Sequence, residues 1–342
     1  MIRLENDTLF VSFPNIHPQA YLAIDFQRTL RIPDDDKSYP LPPGLGDFPL
    51  RHVDDFIPRT PASWTERGGV MMPMYQSEAL WINFTGEYIS ENRSDYPFAI
   101  RIATGKVDAV TGKQWRDGLA KTRQNYMVST EQPWLDGYCV EKGFIRQFVA
   151  MPLGAGYTAE EQVTGKAEHG GLQISVYPMK RSAFERHFPK DPRRVARHRH
   201  QDVCCSMPRA ASAEMGLAPG GRMRQDIYED PFHADDWDRD TSSKCFVHIA
   251  NSLVWREITG QRPPTVPATA KEYTDAGLPW FQYYSDTEAL DGSDTLDGMK
   301  SVAQLGKEKG DVPLPGNDPV TPAHIAVLRS GMAEGQVREG RF

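Results

Sequence analysis

The chain has 342 residues, of which 39% are hydrophobic and 25% charged, and a formal net charge of −7. That length exceeds the roughly 100–200 residues of a typical domain and leaves room for a sizeable core, while the apolar share excludes global disorder. Glycine (28) and proline (27) make up about 16% of the chain, above the average of roughly 12%, which suits many turns between short elements and disfavours long helical bundles.

At the start, Met1-Ile2-Arg3-Leu4-Glu5-Asn6-Asp7 places two acids near the first apolar run, without the cationic segment and unbroken apolar stretch of a secretory signal. The longest apolar stretches, such as Phe148 to Leu153, fall far short of the roughly 18 residues of a membrane span. A soluble, cytoplasmic protein that does not enter the membrane is therefore expected. Cys139, Cys204, Cys205 and Cys245 are too few to frame so long a chain with disulfides and are expected to be reduced.

Alternation of bulky apolar residues puts one face of a strand in a core. It occurs at Leu9 to Phe13, Leu22 to Phe26, Leu80 to Phe84 and Phe98 to Ile102, and strands are also expected at Phe144 to Met151, Leu172 to Tyr177 and Cys245 to Ile249. Between them lie turn signals such as Pro42-Pro43-Gly44, Thr111-Gly112 and Gly170-Gly171, short connections that suit antiparallel neighbours. The expectation is a mainly β fold, a β-sandwich or jelly-roll-like pair of antiparallel sheets with short helices mostly towards the C-terminus; an α+β fold is the alternative. Helix starts are announced where a hydroxyl residue precedes glutamate by three, at Ser182/Glu185 and Thr269/Glu272. The second helix should run from Ala270 to about Ala276, closed by Gly277 and Pro279. Another is expected from about Thr295 to Leu305, and a last one with Thr321 as cap and Pro322 in the first position. Residues 1–180 read as a β-rich domain. Residues 181–306 read as a charged insertion with a final core strand and short helices in the same fold unit, and 307–342 as a linker and C-terminal arm.

Several clusters carry potential chemistry. Lys180, Arg181, Arg186, Lys190, Arg193, Arg194, Arg197 and Arg199 crowd one segment, the pattern of a phosphate or nucleic-acid patch. Against nucleic acid as a partner stand the negative total charge and the acids that follow, including Asp226, Asp230, Asp235, Asp236, Asp238 and Asp240, so the two runs are expected to face one another. His198, His200 and Cys204, with Cys205, Cys245 and His248, offer nitrogen and sulfur ligands for zinc, although no pair of Cys-x-x-Cys motifs is present. Asp236 and Asp238 stand at the alternate spacing of a calcium loop that lacks its glycine and its final glutamate. Gly154-Ala155-Gly156-Tyr157 reads as a tight turn, because the third glycine and the lysine of a phosphate cradle are missing. Neither Gly-x-Ser-x-Gly nor His-Glu-x-x-His occurs. Trp134 is expected to be buried, whereas Trp280, Phe281, Tyr283 and Tyr284 cannot all point inward and suggest an interface or a ligand groove.

The strings Phe26-Gln27-Arg28-Thr29-Leu30-Arg31-Ile32-Pro33, Gln147-Phe148-Val149-Ala150-Met151-Pro152-Leu153-Gly154 and Gly277-Leu278-Pro279-Trp280-Phe281 make the chain resemble a set of conserved, uncharacterised bacterial and fungal proteins. That resemblance spans most of the chain and implies no reaction, cofactor or catalytic residue. The residues themselves favour a binding or self-assembling protein without a cofactor, forming a homo-oligomer through its aromatic surface and C-terminal arm. The rival is a metal-dependent hydrolase-like enzyme using the His, Cys and Asp cluster around 198–248 with zinc or calcium. A third reading is phosphate or nucleic-acid binding through residues 180–200.

Overall fold

The alternating runs form the strands Thr8–Ser12, Tyr21–Thr29, Ala79–Gly86, Phe98–Thr104, Phe144–Pro152, Leu172–Pro178 and Ser243–Asn251 of one large, mostly antiparallel sheet. The structure is a computed structural model that describes residues 1–35, 37–120, 122–190, 214–284, 287–312 and 316–329. In the Tyr21–Thr29 strand, Leu22, Ile24 and Phe26 are buried, while the intervening Asp25 accepts hydrogen bonds from Gln27 and Asn83 at 2.8 and 2.9 Å on the opposite face. Each fully buried apolar side chain of this kind stabilises the fold by roughly 1.5–3 kcal/mol relative to exposure. The fold is mainly β, as expected from the pattern.

Long ladders make up the sheet. Tyr21–Thr29 pairs with Ala79–Gly86, Phe144–Pro152 with Glu214–Arg224, and Leu172–Pro178 lies between Phe98–Thr104 and Ser243–Asn251. Two-residue pairings join these ladders, Ala79 and Leu80 against Val149 and Phe148, and Glu214 and Met215 against Ala250 and Ile249. Side chains from both ends of the series, Ile24 and Phe26 together with Ile100, Ile174 and Val176, meet in a single buried cluster. The strands of this one sheet therefore share a single core. Val70–Met74 adds a parallel neighbour to Val247–Asn251.

Several elements depart from the sequence expectation. The Glu214–Arg224 strand contains Ala-Pro-Gly-Gly, which argues against a strand, yet a Cβ on Gly220 would lie 2.4 Å from Val149 Cγ2, and one on Gly221 would lie 2.4 Å from Pro33 O. Close approach of neighbouring chain, rather than a turn, explains these glycines. The helix expected from Thr295 to Leu305 is instead two, Asp294–Asp297 and Val302–Lys309, because Ser301 starts a new helix with its own capping box to Gln304. The stretch after Pro322 forms the strand Ile325–Arg329, not a helix, because parallel pairing with Trp280–Tyr284 overrides the local start signal.

Among the described residues, two Arg–carboxylate pairs are buried on both sides. Arg28 donates to Glu78 at 2.6 and 2.9 Å and also to the carbonyl of Thr265, tying the inner sheet to the 260s segment. Arg101 pairs with Asp108 at 2.8 Å, donates to the carbonyls of Arg116, Gly118 and Asn125, and lies 4.0 Å from the Trp115 ring centre. Both cations thus spend their remaining donors on loop carbonyls, which is what makes a buried charge tolerable. Among the described residues, no helix is long and apolar enough to cross a membrane.

Candidate functional site

A cleft of about 360 Å³ opens where three segments meet: the turn at Gly143 and Phe144, the end of a strand at Arg224 continuing through Gln225 and Asp226, and Gln282 and Tyr283 of the Trp280–Tyr284 strand. The turn exists because Gly143, at φ +80°, joins the paired strands Gly137–Glu141 and Phe144–Pro152 in a backbone conformation that side chains disfavour. Register then sets Phe144 directly opposite Arg224. The Trp280–Tyr284 strand is held by reciprocal backbone bonds of 2.8 Å between Phe281 and Leu41 on one side and by Ile325–Arg329 on the other. Tyr283 is fixed edge-on, its ring centre 4.8 Å from that of Trp134 and 6.0 Å from that of Tyr228.

The charges of the cleft are unequally committed. Arg222 lies 4.3 Å from the Phe144 ring centre and pairs with Glu141, so its charge is already used. Arg224 is exposed and makes no side-chain hydrogen bond or ion pair among the described residues. The half-buried Asp226 carboxylate likewise has no such partner among them; burial pushes its carboxyl up, against the attraction of Lys142. Behind them Gln225, only 6% exposed, donates from Nε2 to Asp136 Oδ2 at 2.7 Å and accepts from the Asp136 amide at 3.1 Å. Asp136 is 2% exposed, and burial pushes its carboxyl up to about 7 against the opposing hydrogen bonds of Gln225 and Trp134. It touches no open part of the cleft; its contribution is to lock the Gln225 amide in one orientation.

The expected site residues distribute differently. Of the aromatic run, Trp280 is fully buried between Tyr39 and Tyr273 and cannot serve an interface, because strand alternation and the core claim it. Phe281 is half-buried against the main core, Tyr283 lines the cleft, and the Tyr284 side chain lies outside the described residues. Trp134 is half-buried rather than fully so, packing edge-to-face on Trp81.

His198, His200, Cys204 and Cys205 lie outside the described residues, as do Arg193, Arg194, Arg197 and Arg199. Cys245 sits in a sheet strand, donates to the Phe246 carbonyl at 3.5 Å, and has its thiol pushed up to about 12 by burial. Burial pushes the Asp236 carboxyl up, but bonds from His187, at 2.8 Å, and from Arg186 outweigh it and hold the group below the usual range. Asp238 accepts the amides of Asp240 and Thr241 at 3.1 and 3.0 Å, capping its own turn. Lys180 adds bonds to the carbonyls of Asp235 and Asp236, both at 2.7 Å, so the described part of the basic segment does face the acidic loop. His248 is stacked between Trp64 and Phe246, with ring centres 4.7 and 4.3 Å away, and donates from Nε2 to the Gly68 carbonyl at 3.0 Å. Gly154 to Tyr157 leads into a helix whose Thr158 and Glu161 form a capping box, with the Gly156 amide donating to Glu161 at 2.7 Å. Among the described residues, no group of three His, Cys, Asp or Glu side chains is placed to hold a metal ion.

Sequence reasoning missed Phe144, Arg224 and Gln225 as site residues and counted Asp226 only within an acidic run. Their shared signal was slight: a Lys-Gly turn between two strands, and an Arg-Gln-Asp triplet ending another. In comparisons with known proteins, the chain matches no family model, no curated protein sequence and no solved structure.

Proposed function

We propose that the protein is a binding protein that takes a small polar ligand in the cleft between Phe144, Arg224, Asp226 and Tyr283. The observation that carries this reading is a pair of uncommitted opposite charges, Arg224 and Asp226, in one cleft. A charged side chain partly withdrawn from water, as Asp226 is, normally finds a partner, and the buried Arg28 and Arg101 both do so. The walls are prearranged, since Tyr283 is held by two rings and Gln225 by Asp136, which lowers the ordering cost of binding. Binding rather than reaction is favoured because Asp136, the carboxyl that titrates near neutrality, is walled off behind Gln225.

Calorimetric titration of the full chain with a panel of small charged metabolites tests this, with Arg224→Gln and Asp226→Asn as controls. Saturable binding that either substitution weakens by about tenfold or more supports the reading. A panel that produces neither heat nor a melting shift at millimolar concentration sinks it.

A second reading, self-assembly, is favoured by the Ile325–Arg329 strand, which pairs on one side with Trp280–Tyr284 and exposes Ile325 by 50%, Val327 by 38% and Leu328 by 41%. An apolar edge of this kind suits antiparallel addition of the same strand from a second copy. The cytoplasmic setting belongs to the proposal as well; it is supported by Cys139 and Cys245, which are unpaired and whose thiols are pushed up to about 12 by burial.

A further inference from the structure

Taking the cleft as a binding site, we infer that its ligand is a small zwitterion carrying a planar apolar group, the chemistry of an aromatic amino acid. Arg224 and Asp226 are two residues apart and both line the cleft, yet no ion pair of 4.0 Å or less joins them. They therefore present a cation and an anion separately to whatever enters. A purely anionic ligand would meet Arg224 favourably and Asp226 unfavourably, and a purely cationic ligand the reverse. A molecule bearing an ammonium and a carboxylate meets both charges with a partner and leaves neither exposed to repulsion.

The neighbouring cations have partners of their own. Arg222 is committed to Glu141 and Phe144, and Lys142, whose attraction reaches Asp226, pairs with Glu288 at 3.5 Å. Among the residues that line the cleft, Arg224 and Asp226 are the charged pair a ligand meets. The remaining walls specify the rest of the ligand. Phe144 and Tyr283 offer ring surface, the exposed Gln282 offers an amide that both donates and accepts, and Gln225 is held immobile by Asp136. A volume of about 360 Å³ lies at the small end of ligand sites, roughly 300–1,000 Å³, which favours a single metabolite over a polymer.

The decisive probes share one ring and differ only in charge: L-phenylalanine, 3-phenylpropanoate, 2-phenylethylamine and 3-phenylpropanamide, each titrated into the full chain near pH 7. Phenylalanine is expected to bind at least about tenfold tighter than each of the other three. Arg224→Gln should bring it down to the level of the amine, and Asp226→Asn to the level of the propanoate. Because Arg224 is exposed and Asp226 half-buried, neither substitution empties the core, and unchanged circular dichroism verifies that the variants fold. Binding of all four probes without preference overturns the zwitterion inference while leaving the cleft a binding site. Silence from all four overturns the inference, and silence from the wider charged panel as well overturns the site. Binding that survives in the Arg224→Gln/Asp226→Asn double variant places the ligand elsewhere and overturns both.

Discussion

His248 lies between two aromatic planes with one ring nitrogen on a backbone carbonyl, and burial pushes its pKa down to about 4 from the ordinary 6.5. The unfolded chain therefore takes up this proton first. The stability that the neutral imidazole confers is intact above about pH 6.5 and is lost as the pH falls through about 4. Asp136 works in the opposite direction. Its carboxyl, pushed up to about 7, favours the fold fully below the unfolded value of about 3.9, and that contribution is lost as the pH rises through about 7. The two effects oppose one another between about pH 4 and 6.5, so the wild-type stability should be flatter there than that of either single variant. Urea unfolding across pH 4–8 is expected to show His248→Gln losing less stability on acidification than the wild type, and Asp136→Asn losing less on alkalinisation. Each difference should be on the order of a few kcal/mol. Parallel pH profiles for all three proteins would refute the assignment. None of this was legible in sequence, where His248 stood among metal-ligand candidates and Asp136 beside a Pro-Trp pair, because burial from both sides is a property of tertiary neighbours.

At the scale of elements, the capping signals show where local sequence suffices and where it does not. Thr269 and Glu272 form the reciprocal box read from their spacing, and the helix Ala270–Asp275 begins where expected. Ser182 and Glu185 have the same spacing without the box, since that helix begins at Arg181 and Glu185 pairs instead with Arg181 at 2.8 Å. Thr269→Ala should thus cost about 1 kcal/mol, whereas Ser182→Ala should stay within about 0.5 kcal/mol; chemical denaturation of the two variants tests the contrast. Strands were legible wherever one face alternates, as at Tyr21–Thr29, and illegible where glycine replaces the pattern, as in Glu214–Arg224. Gly137 is a further case. A Cβ there would lie 2.0 Å from the Arg146 carbonyl, so Gly137→Ala is expected to force apart the hairpin that ends in the cleft. Its effect should exceed about 2 kcal/mol and be accompanied by lost ligand binding. A fully stable, binding-competent Gly137→Ala protein would show that the close approach is not required.

For the molecule as a whole, the mainly β architecture followed from periodicity, whereas the candidate site did not, because it assembles at the ends of elements far apart in sequence: residues near 144, 225 and 283. Of the groove expected around Trp280 to Tyr284, Tyr283 and the intervening Gln282 line the cleft among the described side chains, while Leu41 pairs with Phe281 and Trp280 is buried in the core. The exposed strand Ile325–Arg329 makes association a question of the whole particle. If it pairs with its own copy, sedimentation should find a dimer at tens of micromolar, and Val327→Lys should yield monomers with unchanged circular dichroism and a melting temperature no longer dependent on concentration. A wild-type monomer across that range would remove the assembly reading.

The position of Ser243–Asn251 has a bearing on how the protein is made. It joins Leu172–Val176 on one side and Val70–Met74 on the other, so strands completed early in translation wait for a partner encoded much later. While the ribosome is still short of that point, the nascent chain presents two incomplete β-edges lined by Val70, Met72, Ile174 and Val176. A chain that stops ahead of Ser243 keeps both edges unpaired, so stop codons there should yield insoluble fragments instead of a smaller folded protein.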